Sequence, residues 1–168
     1  MGKNRDLTSL EVLGIAIKSE IEAIKLYDRM KELVKHPDLV AKLDFLLSQE
    51  RRHEEILTEA YKSKFPDTKL QLPAKSLVPS IGEVLSGETD LKVLFNVAMK
   101  AEKISEEFYS KLAENTRDSN SKSLLLYLAS MERSHYAILE AEYRQLEMGV
   151  DLDSDDILRG DRLMNLGP

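Results

Sequence analysis

Two short segments place a glutamate and a histidine three residues apart inside an otherwise apolar stripe: Glu50 and His53 in QERRHEEIL (49–57), and Glu132 and His135 in MERSHYAIL (131–139). At that spacing both side chains share one face of a helix. One such pair is most simply a solvated surface pair, because charged groups seldom enter a core unless they are paired or coordinate a metal. Two pairs that both interrupt apolar stripes require another explanation.

Displacing the sequence by 82 positions lays it on itself without a gap. Glu20 falls on Glu102, Tyr27 on Tyr109, Glu50 on Glu132 and His53 on His135. The same displacement matches Ala16 to Ala98, Leu43 to Leu125, Leu46 to Leu128, Arg51 to Arg133, Ile56 to Ile138, Leu57 to Leu139 and Tyr61 to Tyr143. The chain therefore reads as two copies of one unit, each supplying one isolated glutamate and one Glu-x-x-His.

The elements that must position these groups are helices. In the first copy Leu13, Ile17, Glu20, Ile24, Tyr27 and Met30 step by three or four, as do Leu43, Leu46, Glu50, His53, Leu57 and Ala60. Thr8 and Glu11 form a capping-box pattern at the start of the first helix. His36-Pro37-Asp38 breaks it, with Asp38 as the expected cap of the second. Asp90 is the expected cap of the third helix, and the second break falls near Asp118-Ser119-Asn120. The reading is one all-α domain over 1–168: a hairpin over about 8–63, a Pro- and Gly-bearing crossover over 64–89, and a second hairpin over about 90–147. A tail over 148–168 follows, with a short helix expected at Asp155 to Leu163.

Within each hairpin the isolated glutamate and the histidine lie equally far from the turn, roughly 25 Å from it at about 1.5 Å of rise per residue. All six groups thus converge on one level. Four carboxylates in a dry core repel one another and lose their hydration. Two divalent cations relieve both costs, and a set of four carboxylates and two imidazoles suits iron or manganese and accepts zinc.

Glu20, Glu50-Arg51-Arg52-His53, Glu102 and Glu132-Arg133-Ser134-His135 resemble the ferritin-like superfamily, and most closely the di-iron domain of rubrerythrins, over about residues 8–147. The resemblance implies a ferritin-like antiparallel four-helix bundle with one long crossover. It also implies two iron ions, bridged by Glu50 and Glu132 and held terminally by Glu20, Glu102, His53 and His135. Tyr27 and Tyr109, two turns beyond Glu20 and Glu102, would be hydrogen-bond donors that orient ligating carboxylates.

The chain departs from that pattern at Ser105, where many rubrerythrins carry a further glutamate, with Glu106 the nearest substitute. Arg51 stands where the haem-ligating methionine of bacterioferritins would be, so haem is not expected. The absence of cysteine excludes disulfides, thiolate zinc, iron–sulfur clusters and a rubredoxin-type iron centre within these residues. Electrons must therefore come from an external donor such as a rubredoxin.

A net charge of −6, with 30 acidic and 24 basic residues, provides no basic patch for nucleic acid or anionic lipid. Nor does any segment reach the roughly 20 apolar residues of a membrane span. The expectation is a soluble, cytoplasmic homodimer or larger homo-oligomer that reduces hydrogen peroxide or dioxygen at a non-haem di-iron centre. The alternative is a ferroxidase or iron-storage protein resembling a bacterioferritin without haem.

Overall fold

The computed structural model describes residues 9–74, 76–77 and 90–149. Four helices account for most of them: α1 (Ser9–Leu33), α2 (Pro37–Lys64), α3 (Leu91–Asn115) and α4 (Ser119–Glu147). No strand occurs among the described residues. The architecture is the all-α four-helix bundle that the helical periodicity predicts. α1 packs mainly on α2 and α3 mainly on α4, while contacts of α1 with α3 and of α2 with α4 join the two hairpins.

Local chemistry sets the helix ends. Pro37 is the first residue of α2, where its missing N–H costs nothing, so the cap is His36 and not Asp38. Asp38 instead places its charge in the first turn, where the helix dipole favours it. Asp90 caps α3 by accepting the Lys92 backbone N–H at 3.1 Å, and Asp118 caps α4 by accepting that of Ser121 at 2.7 Å. Gly149 (φ 72°) lies just past α4, in a conformation that suits a residue without Cβ. The Thr8 half of the capping box and the short helix expected at 155–163 lie outside the described residues.

Part of the crossover is laid against α1. Gln71 and Pro73 pass over Gly14, where a Cβ would meet the proline ring at 3.4 Å, and the Leu77 N–H donates to Ser19 Oγ at 2.8 Å. Two apolar clusters fill the bundle. One includes Tyr27, Met30, Val34, Leu39, Leu94, Phe95 and Leu139; the other includes Ala16, Ile17, Leu57, Tyr61, Tyr109 and Leu128. The polar level belongs to neither cluster.

Candidate metal centre

Each helix delivers its polar residues on the face that packs inward: Glu20 from α1, Glu50 and His53 from α2, Glu102 from α3, Glu132 and His135 from α4. None exposes more than 3% of its surface. A helix repeats every 3.6 residues, so Leu46, Glu50, His53 and Leu57 all face the core, and a polar pair can replace one turn of the apolar stripe without disturbing the rest.

The six groups form two overlapping sets. Glu20, Glu50, His53 and Glu132 bring one ligand atom each within 4.8 Å of one another, and so do Glu50, Glu102, Glu132 and His135. Glu50 and Glu132 belong to both. The His53 Nδ1 lies 3.2 Å from Glu132, 3.6 Å from Glu20 and 3.7 Å from Glu50. The His135 Nδ1 lies 2.7 Å from Glu50, 3.5 Å from Glu132 and 3.6 Å from Glu102. The imidazoles stack with centroids 5.5 Å apart, and Tyr127 meets the His53 ring edge-on.

Several of these atoms lack a hydrogen bond. Glu50 Oε1, Glu132 Oε1 and both ring nitrogens of His53 and His135 are buried without one. A folded protein seldom leaves so many buried polar atoms in one place without a ligand to satisfy them. The donor set, four carboxylates and two imidazoles around two positions, fits two divalent ions.

Without cations the site is electrostatically frustrated. Burial, and next the charge of Glu50, push the Glu20 carboxyl up to about 8. Burial and then Glu50, Glu20 and Glu102 hold Glu132 well above the usual carboxylate range. Burial would raise Glu50 as well, but the adjacent imidazoles of His135 and His53 overcome it and hold that carboxyl low. For the histidines burial opposes the charge, yet the carboxylates around them prevail: His135 is pushed up to about 12, chiefly by Glu102 and Glu132, and His53 is raised chiefly by Glu132 and Glu20.

The tyrosines reach across the bundle. The Tyr27 hydroxyl donates to Glu102 and the Tyr109 hydroxyl to Glu20, so each ties its own hairpin to the other hairpin's carboxylate. Burial first, and the neighbouring carboxylate second, raise both phenols well above their ordinary range and keep them protonated donors. Sequence spacing alone could not show this crossing. Ser105 is buried, one turn from Glu102, whereas Glu106 turns outward and accepts from Arg133 Nε at 2.6 Å. Glu106 therefore does not take the place of a carboxylate at position 105.

A family model described as rubrerythrin matches residues 11–143. A solved structure of a hypothetical protein from Pyrococcus furiosus is 38% identical, with a TM-score of 0.78 over 88% of this chain and 95% of that one. CopM in the Cu(I)-bound form shares the fold alone, at 12% identity and a TM-score of 0.68, over 84% of this chain and 99% of that one. No curated protein matches the chain.

Proposed function

The chain belongs to the rubrerythrin family, and on that premise we propose that it is a non-haem di-iron oxidoreductase reducing hydrogen peroxide or dioxygen with electrons from an external donor. The observation that carries this reading is the pair of overlapping four-residue groups sharing Glu50 and Glu132 in a buried cage. Two redox-active ions held there would supply the two electrons that, with two protons, convert one peroxide to two waters.

The remaining work falls to the chain's own residues. Glu50 and Glu132 would be shared by the two ions, with Glu20 and His53 completing the set that would hold one and Glu102 and His135 the set that would hold the other. Four carboxylates match the charge of two divalent ions. The Tyr27 and Tyr109 hydroxyls fix the orientation of Glu102 and Glu20 from the opposite hairpin, a constraint that supports ligand geometry. Burial of the whole level excludes bulk water and strengthens every electrostatic interaction within it.

These residues contain no cysteine, so a thiolate iron centre that delivers electrons has to lie outside them. The test is peroxide consumption by protein reconstituted anaerobically with ferrous iron. One oxidation per centre is expected with a nicotinamide cofactor alone, and sustained turnover once a rubredoxin and its reductase are added. Sustained turnover without those partners would overturn the donor assignment, and no oxidation by peroxide would overturn the activity.

Ser105 favours a second reading, in which the site oxidises iron as a substrate for storage. A small side chain there leaves the six-residue ligand set without a seventh carboxylate, as in bacterioferritins. A large hollow oligomer retaining ferric mineral would support storage; a dimer that turns over peroxide and retains no mineral would support the oxidoreductase.

A further inference from the structure

Beside Tyr109 a cavity of about 810 Å³ opens among the four helices, walled by Val12, Leu13, Leu57, Ala60, Leu124 and Leu125. Several core-facing positions at this end carry less apolar volume than their counterparts in the repeat, although a second, more open hollow of about 660 Å³ lies at the other end, between α2 and α4 beside Lys42 and Glu142. At the positions related to Val12, Leu13, Thr116 and Ser121 by the displacement of 82, the other end carries Leu94, Phe95, Val34 and Leu39. All four of those larger residues are buried in the core. Each difference removes apolar volume from the same end of the bundle.

The volume lies in the range of small-molecule pockets, roughly 300–1,000 Å³, and far exceeds what peroxide or dioxygen needs. Its wall is mainly apolar, with Asn115, Thr116 and Ser121 among its polar members, while Lys64 and Arg117 stand beside Asp118 at its rim. Asp118 accepts the Ser121 N–H as the α4 cap and keeps its charge, which Lys64 faces, so two cations and one carboxylate leave the rim with a net charge of +1. An apolar wall with a positive rim complements a molecule that has an apolar chain and an anionic head. A neutral head would leave the cations unused, and a cationic head would meet like charge.

We propose that this cavity binds an amphipathic carboxylate of the fatty-acid class, its chain along the apolar wall toward Tyr109 and its carboxylate at Lys64 and Arg117. The bound molecule would lie one side chain from the metal centre, because Tyr109 donates to Glu20. The proposal does not depend on the oxidoreductase reading, and its test needs neither metal nor turnover.

The experiment is calorimetric titration of the intact chain with decanoate, decanol and decylammonium. Decanoate is expected to bind with one molecule per chain, decanol at least about tenfold more weakly, and decylammonium not at all. Lys64→Glu combined with Arg117→Glu should remove the preference for decanoate and leave decanol binding intact. Ala60→Phe, which fills the cavity, should weaken both ligands at least about tenfold. The charge-reversal variant lies on the rim and keeps the test decisive where Ala60→Phe does not fold. The proposal fails if decanoate produces no saturable heat, if decylammonium binds equally well, or if charge reversal leaves the decanoate preference unchanged.

Discussion

At the end of the bundle where α1 turns into α2, Met30, Leu39, Leu94 and Phe95 each expose no more than 1% of their surface. At the end where α3 turns into α4, their counterparts Leu112, Ser121, Val12 and Leu13 line a cavity. Lys42 and Glu142 pair at the first end, beside an open hollow of about 660 Å³ between α2 and α4, where the second end has Leu124 and Ala60 in the cavity wall. Midway between them both copies keep the same glutamates, histidines and tyrosines. The difference teaches which constraints are tight. The charged level that could hold metal keeps its residue types in both copies, whereas apolar packing requires only volume, and one copy can give up volume while the other retains it.

The largest effect should come from truncation at the first end. Phe95→Ala is expected to cost about 3–5 kcal/mol in denaturant unfolding of the metal-free protein, because it opens a cavity around a fully buried ring. Leu13→Ala, its half-buried counterpart, should cost less than half as much, having already lost its neighbours on one side. Equal losses would mean that the two ends are not packed differently.

Smaller, and symmetric, effects are expected at the tyrosines. Tyr27→Phe and Tyr109→Phe each remove a hydroxyl donated to a buried carboxylate. Each should lower metal affinity by roughly 10–100-fold, read by competition with a chelator, with little change in the fold. A loss at Tyr27 alone would break the equivalence of the two halves at the ligand level.

Metal should reverse the pH dependence of stability. The Glu20 carboxyl is raised from an unfolded value near 4.5 to about 8, and Glu132 is raised also. A raised folded pKa contributes stability that is fully present below the unfolded value and lost as pH rises through the folded one. The metal-free bundle should therefore melt at lower temperature at pH 8 than at pH 5, and the raised histidines act in the same direction. With ions bound the carboxylates are held ionised and the imidazoles neutral, so the site's contribution grows with pH and disappears as acid displaces the metal. Thermal melting at both pH values, with and without chelator, checks this; a chelator effect no larger at pH 8 than at pH 5 would contradict it.

The smallest effect sharpens the comparison from the other side. Ser121→Leu, which copies Leu39 into the second end, should raise stability by about 0.5–2 kcal/mol, as cavity-filling changes commonly do. Denaturant midpoints measure the gain. A loss would show that the second end cannot accept the side chain that the first one buries.

Much of this was legible in the sequence, and what was not has identifiable causes. The helical period of Leu43, Leu46, Glu50, His53 and Leu57 located both the helix and its buried face, because burial and period are one signal. The repeat added the level at which the polar residues meet. Asp38 is not the cap that its residue type suggests, because proline at a first helical position shifts the boundary by a residue or two, an effect decided by backbone geometry. The donations from Tyr27 to Glu102 and from Tyr109 to Glu20 were not legible, since they depend on how one hairpin faces the other. The cavity did leave a trace, in Ser121 opposite Leu39 and Leu13 opposite Phe95, which reading the repeat for its mismatches as well as its matches would have revealed.

The central claim is that six buried residues form a cage for two metal ions, and anaerobic titration with ferrous iron at pH 6, with metal and released protons counted together, tests it most directly. Two ions per chain are expected, with net release of protons, since the raised carboxyls and imidazoles of the cage must deprotonate to bind. Glu50→Ala or Glu132→Ala should disturb both ions, and His53→Ala or His135→Ala mainly one. One ion or fewer per chain after full reconstitution, or two ions bound without proton release, would contradict it.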